Sequence, residues 1–297
     1  MKKNMRKIII VTGGAGFVGA NLINLLIKKT NFNIISIDDY SSGSKKNHIK
    51  NKKIKYIKSH TKNISKVLNS YKKNIITLFH FGEFSRIYQS FLKMNDCINS
   101  NTIGSHEVFN FCFKNKIKLI YSATSATIGN QGNDKNLSPY AFTKAKNIEM
   151  LENLKRWYKF KFEIIYFYNV YGPRQISKGN MATVIGIFED QYRNKKPLSV
   201  VRPGTQSRRF THISDTIEAC YYAWKKNKCR HYSISNKESF TILEVAKMFN
   251  TKIKLLPLRR GERFASALTS KNLSNKVHKI FGKISLKKYI NNIVKSS

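Results

Sequence analysis

Acidic side chains are scarce in this 297-residue sequence. It contains 16 Asp and Glu residues against 55 Lys and Arg residues, which gives a formal net charge of +39 at pH 7. Such an excess attracts polyanions of any kind, including nucleic acid, acidic membranes and phosphorylated substrates. The lysines are scattered along the chain among many Asn and Ile residues, and no basic helix or aromatic-basic RNA motif stands out. We therefore do not expect a nucleic-acid partner.

Cysteine, proline and long apolar runs are also rare. The four cysteines, at positions 97, 112, 220 and 229, form no CxxC pair and no group with histidines, so we expect no metal and reduced thiols. After the basic start the apolar run is about five residues, short of the roughly seven to fifteen of a signal peptide. No run approaches the roughly eighteen residues of a membrane span. We expect a soluble, cytoplasmic protein with no membrane partner.

Short β-type runs alternate with helix-length amphipathic stretches. The runs are "KIIIV", "NIISID", "ITLFHF", "KLIYSAT" and "FEIIYFY", and the stretches cover about 16–29, 96–114 and 139–158. This alternation predicts an α/β fold of Rossmann type, a doubly wound parallel sheet with helices on both faces. We assign residues 1–168 to this domain and 169–297 to a smaller, interleaved C-terminal lobe with a helix near 182–193. Residues 208–235, with a helix capped near Ser214, are expected to return to the first domain.

The first βα unit carries a glycine pattern. In "IIIVTGGAGFVGANLINLL", Gly13, Gly16 and Gly19 lie between a buried strand and an amphipathic helix. Glycines at this spacing permit a tight turn, close approach of backbone N–H groups to a pyrophosphate, and close helix packing. The flanking strand and helix, with an acidic residue about twenty positions on, favour a dinucleotide site over a simple glycine-rich turn.

That acidic residue is Asp38, at the end of "NIISIDDY". A carboxylate there can accept hydrogen bonds from both adenosine-ribose hydroxyls and would repel a 2′-phosphate, which favours NAD over NADP. Asp39 is the alternative candidate.

A second constellation combines a phenol, an amine and a hydroxyl. Tyr140 and Lys144 lie four residues apart in "SPYAFTKAK" and share one face of the expected helix. A phenol has a usual pKa of about 10 and is a weak base at neutral pH, but a nearby ammonium favours the phenolate. Thr124 or Ser125, at the end of the preceding strand, could share a proton with a substrate hydroxyl.

These motifs together resemble the extended short-chain dehydrogenase/reductase family, specifically its nucleotide-sugar epimerases and dehydratases. The matching stretches, in order, are "TGGAGFVG", "IDDYSSG", "FHFGE", "YSATSATIG", "SPYAFTK" and "YNVYGPRQ". "GTQSRRFTHISD" and "LRRGER" resemble later motifs of the family, so the resemblance covers nearly the whole chain.

The resemblance implies three sets of site residues and NAD as the cofactor. The catalytic set is Thr124, Tyr140 and Lys144. The cofactor set is Gly13, Gly16, Phe17, Val18, Gly19, Asp38, Asp39, Ser42, Gly43, Phe81, Gly82, Asn101, Tyr140 and Lys144, with Asn101 also a structural residue behind the site. The substrate set is Glu83, Ser85, Arg86, Thr124, Ser125, Asn169, Arg208 and Arg259. The two later arginines would clamp a diphosphate, and relatives form dimers through the helices that correspond to 96–114 and 139–158 here.

Three positions depart from the family pattern. His60 stands where an aspartate for the adenine amine is usual, which leaves adenine recognition open. Gly82 and Glu83 replace two alanines; Glu83 could contact a sugar hydroxyl or pair with Arg86, and we favour the pair. Ten residues separate Gly129 from Tyr140, a short loop that should alter the roof of the sugar pocket.

The residues after Thr124 bear on the reaction. Sugar 4,6-dehydratases of the family carry an Asp-Glu pair there, because eliminating water needs an acid and a base. This sequence has Ser125 and Ala126. We therefore expect an NAD-dependent epimerase of a nucleotide-diphosphate sugar, acting at C4. The alternatives are another family activity (a reductase, a C3 or C6 epimerase or a dehydratase) and, outside enzymes, a nucleic-acid-binding protein on this scaffold.

Overall fold

A computed structural model describes residues 7–228, 230–262, 264 and 281–296. The strands are β1 (Ile8–Thr12), β2 (Asn33–Asp38), β3 (Ile54–Lys58), β4 (Ile75–His80), β5 (Lys118–Thr124), β6 (Phe162–Phe167), β7 (Val170–Tyr171), β8 (Leu198–Val201), β9 (Ser207–Arg209), β10 (Thr211–His212), β11 (His231–Ser233), β12 (Ser239–Thr241) and β13 (Ile253–Leu256). The helices are α1 (Phe17–Lys29), α2 (Ile64–Leu68), α3 (Ile87–Leu92), α4 (Met94–Ile98), α5 (Ser105–Lys114), α6 (Pro139–Tyr158), α7 (Val184–Arg193), α8 (Ile213–Lys226), α9 (Ile242–Lys247) and α10 (Leu286–Lys295).

The central sheet has seven strands in the order β11-β6-β5-β4-β1-β2-β3, and each neighbouring pair is parallel. Every residue of β1 is buried, as expected of a strand covered on both faces. Apolar side chains of α2, α5 and α6 pack on one face, and those of α1 and α8 pack on the other. The Rossmann-type fold predicted from the sequence is confirmed.

The order of strands places a switch point between β1 and β4. From β1 the chain runs outward through β2 and β3, then crosses to β4 on the other side of β1. In such sheets the crevice outside the carboxyl ends of the strands, at the reversal, is where ligands bind. The fold therefore brings the glycine turn after β1 and the loop after β4 to the same crevice.

Two later segments return to the large sheet. Helix α8 packs beside α1, with Lys29 Nζ 2.7 Å from Glu218 Oε2, and β11 pairs with β6. The smaller lobe has its own apolar core, to which α7, α9, α10 and β8 contribute. In this lobe β8 pairs in parallel with β13, and short pairs join β7 to β10 and β9 to β12.

Some helix boundaries differ from those predicted. Helix α8 begins at Ile213, and His212, not Ser214, is its N-cap, because the His212 imidazole accepts from the Ser214 backbone N–H at 3.2 Å. The stretch predicted as one helix over 96–114 consists of α4, a π-helical segment Asn99–Gly104 and α5. Helix α6 begins at Pro139 after the N-cap Ser138, as the proline position predicted.

Within the described residues, no helix combines the length and apolar character that crossing a membrane requires. The same part of the chain contains no group of three or more His, Cys, Asp or Glu side chains that could hold a metal ion.

Candidate active site

A cleft of about 490 Å³ lies at the carboxyl ends of β1, β2, β4 and β5 and extends toward the smaller lobe. Most residues of the three predicted sets line it. They are Gly13, Gly16, Phe17, Val18, Gly19, Asp38, Asp39, Ser42, Phe81, Gly82, Glu83, Ser85, Arg86, Thr124, Ser125, Tyr140, Lys144, Asn169, Arg208 and Arg259.

The glycine turn fits closely against its surroundings. Gly13 has φ +69°, a left-handed conformation that other residues rarely adopt, and its N–H donates to Ile37 O at 2.8 Å. A Cβ atom on Gly19 would lie 2.1 Å from Gly13 O, and one on Gly13 would lie 2.7 Å from Gly82 N. The turn therefore needs glycine at both positions. Gly16, Phe17 and Val18, at the start of α1, line the cleft, and the backbone N–H groups of a helix N-terminus suit a pyrophosphate.

Asp38 ends β2 with its carboxylate held by the backbone. Oδ2 accepts from Ala15 N at 2.9 Å and Oδ1 accepts from Tyr40 N at 2.8 Å. Burial raises the pKa of the Asp38 carboxyl, while these two hydrogen bonds and His48 act in the opposite direction. Each carboxylate oxygen has more than one acceptor site. The geometry therefore leaves acceptor capacity on both oxygens for a ribose diol.

Gly43 and Asn101 differ from the other residues of the predicted cofactor set, because neither of them lines the cleft. Gly43 packs against the Asp38 carboxylate, and a Cβ there would lie 2.7 Å from Oδ1. Asn101 is fully buried; its Oδ1 accepts from Phe84 N at 2.7 Å and its Nδ2 donates to Thr143 Oγ1 at 3.2 Å. Asn101 thus fixes the loop after β4 to α6, and its contacts are structural.

His60 lines the cleft beside Ser41, Ser59 and Thr61. Its Nδ1 accepts from Lys62 N at 3.1 Å, so the imidazole caps the short 3₁₀ turn Thr61–Asn63. Burial lowers the pKa of His60, which favours the neutral ring. A neutral imidazole whose Nδ1 already accepts has an Nε2–H donor, the opposite of the acceptor that an aspartate would supply.

The three predicted catalytic residues line the same cleft. Thr124 is the last residue of β5, is 8% exposed, and accepts from Ala126 N at 3.2 Å through Oγ1. Tyr140 is the second residue of α6 and is 9% exposed, and its backbone N–H donates to Ser90 Oγ at 3.2 Å. Lys144 follows one turn later and is 4% exposed. The strand end and the first two turns of α6 therefore place a hydroxyl, a phenol and an amine along the same cleft.

Lys144 has a buried partner that the sequence analysis missed. Its Nζ contacts Glu83 Oε2 in an ion pair, with the Glu83 side chain 2% exposed, and donates to Ser122 O at 2.6 Å. The expected pair of Glu83 with Arg86 is wrong: Arg86 instead donates to Met181 O at 2.9 Å through Nε. The other described partners of the carboxylate include Tyr121 on β5 and Asn147 on α6.

Two arginines, Arg208 and Arg259, line the cleft where it extends toward the smaller lobe. Arg208 forms an ion pair with Glu262 at 3.2 Å, and the Arg259 guanidinium lies over the Tyr88 ring, 5.5 Å from its centroid. Asn169, with φ +31°, donates from Nδ2 to Arg209 O at 2.8 Å. Planar guanidinium groups are suited to bidentate contacts with phosphate oxygens.

The fold, the glycine turn with Asp38, and the Thr-Tyr-Lys set define a dinucleotide-dependent enzyme of the short-chain dehydrogenase/reductase type. A model of the "NAD dependent epimerase/dehydratase family" matches residues 9–235. The chain therefore belongs to this family of nucleotide-sugar epimerases and dehydratases, and its cofactor is NAD.

Individual relatives agree with this assignment. The chain is 28% identical over 232 residues to a "Putative UDP-glucose 4-epimerase" of Methanocaldococcus jannaschii, covering 73% of this chain and 74% of the relative. It is 26% identical to the "ADP-L-glycero-D-manno-heptose-6-epimerase" of Brachyspira hyodysenteriae, covering 80% and 79%. A solved UDP-glucose 4-epimerase of Thermotoga maritima has a TM-score of 0.87 at 23% identity and covers 97% of both chains.

Proposed function

We propose that this protein is an NAD-dependent epimerase that interconverts a nucleotide-diphosphate sugar and its C4 epimer. The observation that carries the proposal is the cleft itself, in which Thr124, Tyr140 and Lys144 lie beyond the glycine turn and no carboxylate stands at positions 125 and 126. The names of the Methanocaldococcus relative and the Thermotoga neighbour support the same choice.

The residues around the glycine turn fit a dinucleotide. The glycine turn, where a Cβ atom would clash, and the N-terminus of α1 suit a pyrophosphate. The Asp38 carboxylate, which has acceptor capacity left, suits an adenosine ribose. NAD bound there supplies hydride acceptance and return. Lys144, whose described hydrogen bonds use two of its three ammonium N–H groups, has a donor left for the nicotinamide ribose.

Tyr140 acts as the base in this proposal. It removes the proton of the sugar 4-hydroxyl while Thr124 hydrogen-bonds to the same oxygen, and it returns the proton when the keto-sugar is reduced. Both faces of the sugar must be presented in turn, so the sugar rotates while the diphosphate stays fixed. Arg208 and Arg259, which line the cleft at the smaller lobe, hold the diphosphate.

The deciding assay supplies purified protein with UDP-sugars and catalytic NAD. Epimerisation predicts formation of the C4 epimer, detected by chromatography or NMR, with no net change in NADH absorbance. A reductase instead consumes NADH in proportion to product, and a dehydratase yields a 4-keto-6-deoxy sugar. Either of these results would overturn the epimerase proposal while leaving the family assignment intact. The non-enzyme alternative predicts salt-dependent RNA binding in Tyr140→Phe without any sugar turnover.

We further propose that the partner is a second copy of this chain. Apolar side chains are exposed on α3, α4 and α6 and on the π-helical segment, and α3 and α4 both contact α6. They include Leu92, Met94, Ile103, Phe142 and Met150. Apolar side chains exposed on adjacent helices suit an isologous helix-on-helix interface.

A further inference from the structure

We propose that Glu83 is a positioning residue for Lys144. The Glu83 carboxylate holds the Lys144 ammonium in place and offsets its charge. Lys144 therefore acts as a hydrogen-bond donor and not as an uncompensated cation beside Tyr140. This inference rests on the proposed function of the same cleft. It concerns a carboxylate that none of the motifs of the sequence assigns to catalysis.

The contacts of Glu83 identify it as an anion. Oε1 accepts from Ser105 Oγ at 2.9 Å, from Tyr121 Oη at 3.0 Å and from Asn147 Nδ2 at 3.2 Å. Oε2 accepts from Lys144 Nζ. Four donors converge on the carboxylate, and one of them is the Lys144 ammonium, so the surroundings are suited to the ionised form of Glu83.

A directed chain of hydrogen bonds supports the Ser105 contact from behind. Thr12 Oγ1 accepts from two backbone N–H groups of the loop after β4 at 3.1 Å each, so its proton points to His80 Nδ1 at 2.7 Å. His80 Nε2 then carries the ring proton and donates it to Ser105 Oγ at 3.0 Å, which leaves the Ser105 proton for Glu83. The end of β1, beside the glycine turn, is thus connected through side chains to Lys144.

The titratable groups packed around the pair are neutral at physiological pH. Burial lowers the pKa of His80 to about 4 and raises the pKa of the Cys97 thiol to about 11. Burial and the neighbouring Glu83 raise the pKa of Tyr121 well above its usual value.

Arg86 is a further ion near Tyr140. Desolvation lowers the pKa of its guanidinium, and the charge of Tyr140 acts in the opposite direction. With Glu83 present, Lys144 and Glu83 together carry no net charge. Removing the carboxylate therefore leaves Tyr140 beside one additional uncompensated cation.

The consequence is a change in pH dependence. Without the carboxylate, the positive field at Tyr140 increases and favours the phenolate, so the active form of the base is reached at lower pH. For unit charges several ångströms apart in a partly buried site, we expect the acid limb of the turnover-versus-pH curve to move down by about one pH unit. A role confined to packing would lower turnover at every pH and leave the limb in place.

The test compares Glu83→Gln with variants that retain a negative charge. Glu83→Asp keeps the carboxylate on a shorter side chain, and the swap Glu83→Gln/Asn147→Asp moves it to a neighbouring position on the same face of α6 as Lys144. Glu163→Gln is the matched control, since it breaks another buried pair, with Lys118 Nζ at 2.8 Å, at the amino end of the same sheet. We expect the limb to move only in Glu83→Gln.

A second readout does not require turnover. Each variant, in its NAD-bound form, is titrated with pH while the ultraviolet absorbance of phenolate is recorded. The same titration is repeated in that variant carrying Tyr140→Phe, and the difference between the two curves reports the ionisation of Tyr140 alone. The inference would be overturned if Glu83→Gln left both the acid limb of the turnover curve and the Tyr140 titration curve at their wild-type pH. It would also be overturned if both curves moved equally in the charge-retaining variants. If Glu83→Gln does not fold, the other two variants decide. An acid limb displaced in Glu83→Asp or in Glu83→Gln/Asn147→Asp overturns the inference, and acid limbs at the wild-type pH in both variants support it. Absence of any sugar turnover would count against the proposed function, and the absorbance titration would then decide this inference by itself.

Discussion

Asp38→Asn tests the cofactor assignment most directly, because the substitution removes one charge and one acceptor while keeping the size of the side chain. In the protein each carboxylate oxygen accepts from a backbone N–H, at 2.9 Å from Ala15 and 2.8 Å from Tyr40. An asparagine keeps one oxygen and presents an NH₂ group where the second stood. One ribose hydroxyl therefore loses its acceptor, and the other keeps an acceptor that no longer carries charge.

The magnitude follows from the contacts. A hydrogen bond to a charged group contributes about 1.5–3 kcal/mol, so a loss of about 2 kcal/mol corresponds to roughly 30-fold weaker NAD binding. The NH₂ group also faces a buried backbone N–H, which costs about 1–3 kcal/mol of stability. NADP binding should weaken less than NAD binding, because the carboxylate that repels a 2′-phosphate is gone.

Calorimetric titration with NAD and NADP, together with urea unfolding, measures these effects. Asp39→Asn is the matched control: Asp39 also lines the cleft, but its Oδ1 accepts from Ser41 N at 2.9 Å in an exposed turn. An Asp38→Asn protein that is folded and binds NAD as tightly as the wild type would refute the ribose assignment. So would an equal loss in Asp39→Asn.

Three further predictions address the base, the buried histidine and the exposed apolar face. Tyr140→Phe should retain NAD binding but lose at least about 100-fold in turnover, measured with saturating sugar nucleotide; a wild-type rate would exclude Tyr140 as the base. His80, whose pKa falls from 6.5 to about 4 on burial, binds fewer protons when folded than when unfolded, so its contribution to stability is complete above about pH 6.5 and is lost as pH falls toward 4. The full loss is roughly 3 kcal/mol at 1.36 kcal/mol per pH unit. About 2.5 kcal/mol of it falls between pH 7 and pH 4.5, and urea unfolding at these two pH values should show this difference in the wild type but not in His80→Gln. Phe142→Glu, at a side chain 47% exposed on α6, should convert a dimer to a monomer in analytical ultracentrifugation, whereas an unchanged mass would place the interface elsewhere.

The large sheet and the residues at its strand ends could be predicted because their signals are local. The glycine turn, Asp38 and the Tyr140–Lys144 pair each depend on residues within one βα unit or one helical turn. The Glu83 cluster could not be found this way, since Glu83 is 22 residues from Ser105, 38 from Tyr121 and 61 from Lys144. No short-range pattern distinguishes a carboxylate that pairs with Arg86 from one that turns inward to α6.

The strand pairings of the smaller lobe and the N-cap of α8 were also not predictable from hydrophobic periodicity. Its pairs are short and distant, as with the two-residue strands β7 and β10 and the pairing of β8 with β13 across more than one intervening helix. His212 caps α8 with a ring nitrogen, whereas the usual preference for serine pointed to Ser214.

The position of β11 has a consequence for biosynthesis. Because β6 acquires its outer neighbour only from residues 231–233, the edge of the sheet stays open on the ribosome until most of the polypeptide has emerged. A nascent chain stopped after residue 168 exposes that edge together with the apolar surface that α8 later covers. We expect such fragments to aggregate or to need a chaperone, so the nucleotide-binding half should not be obtainable by expressing residues 1–168 alone.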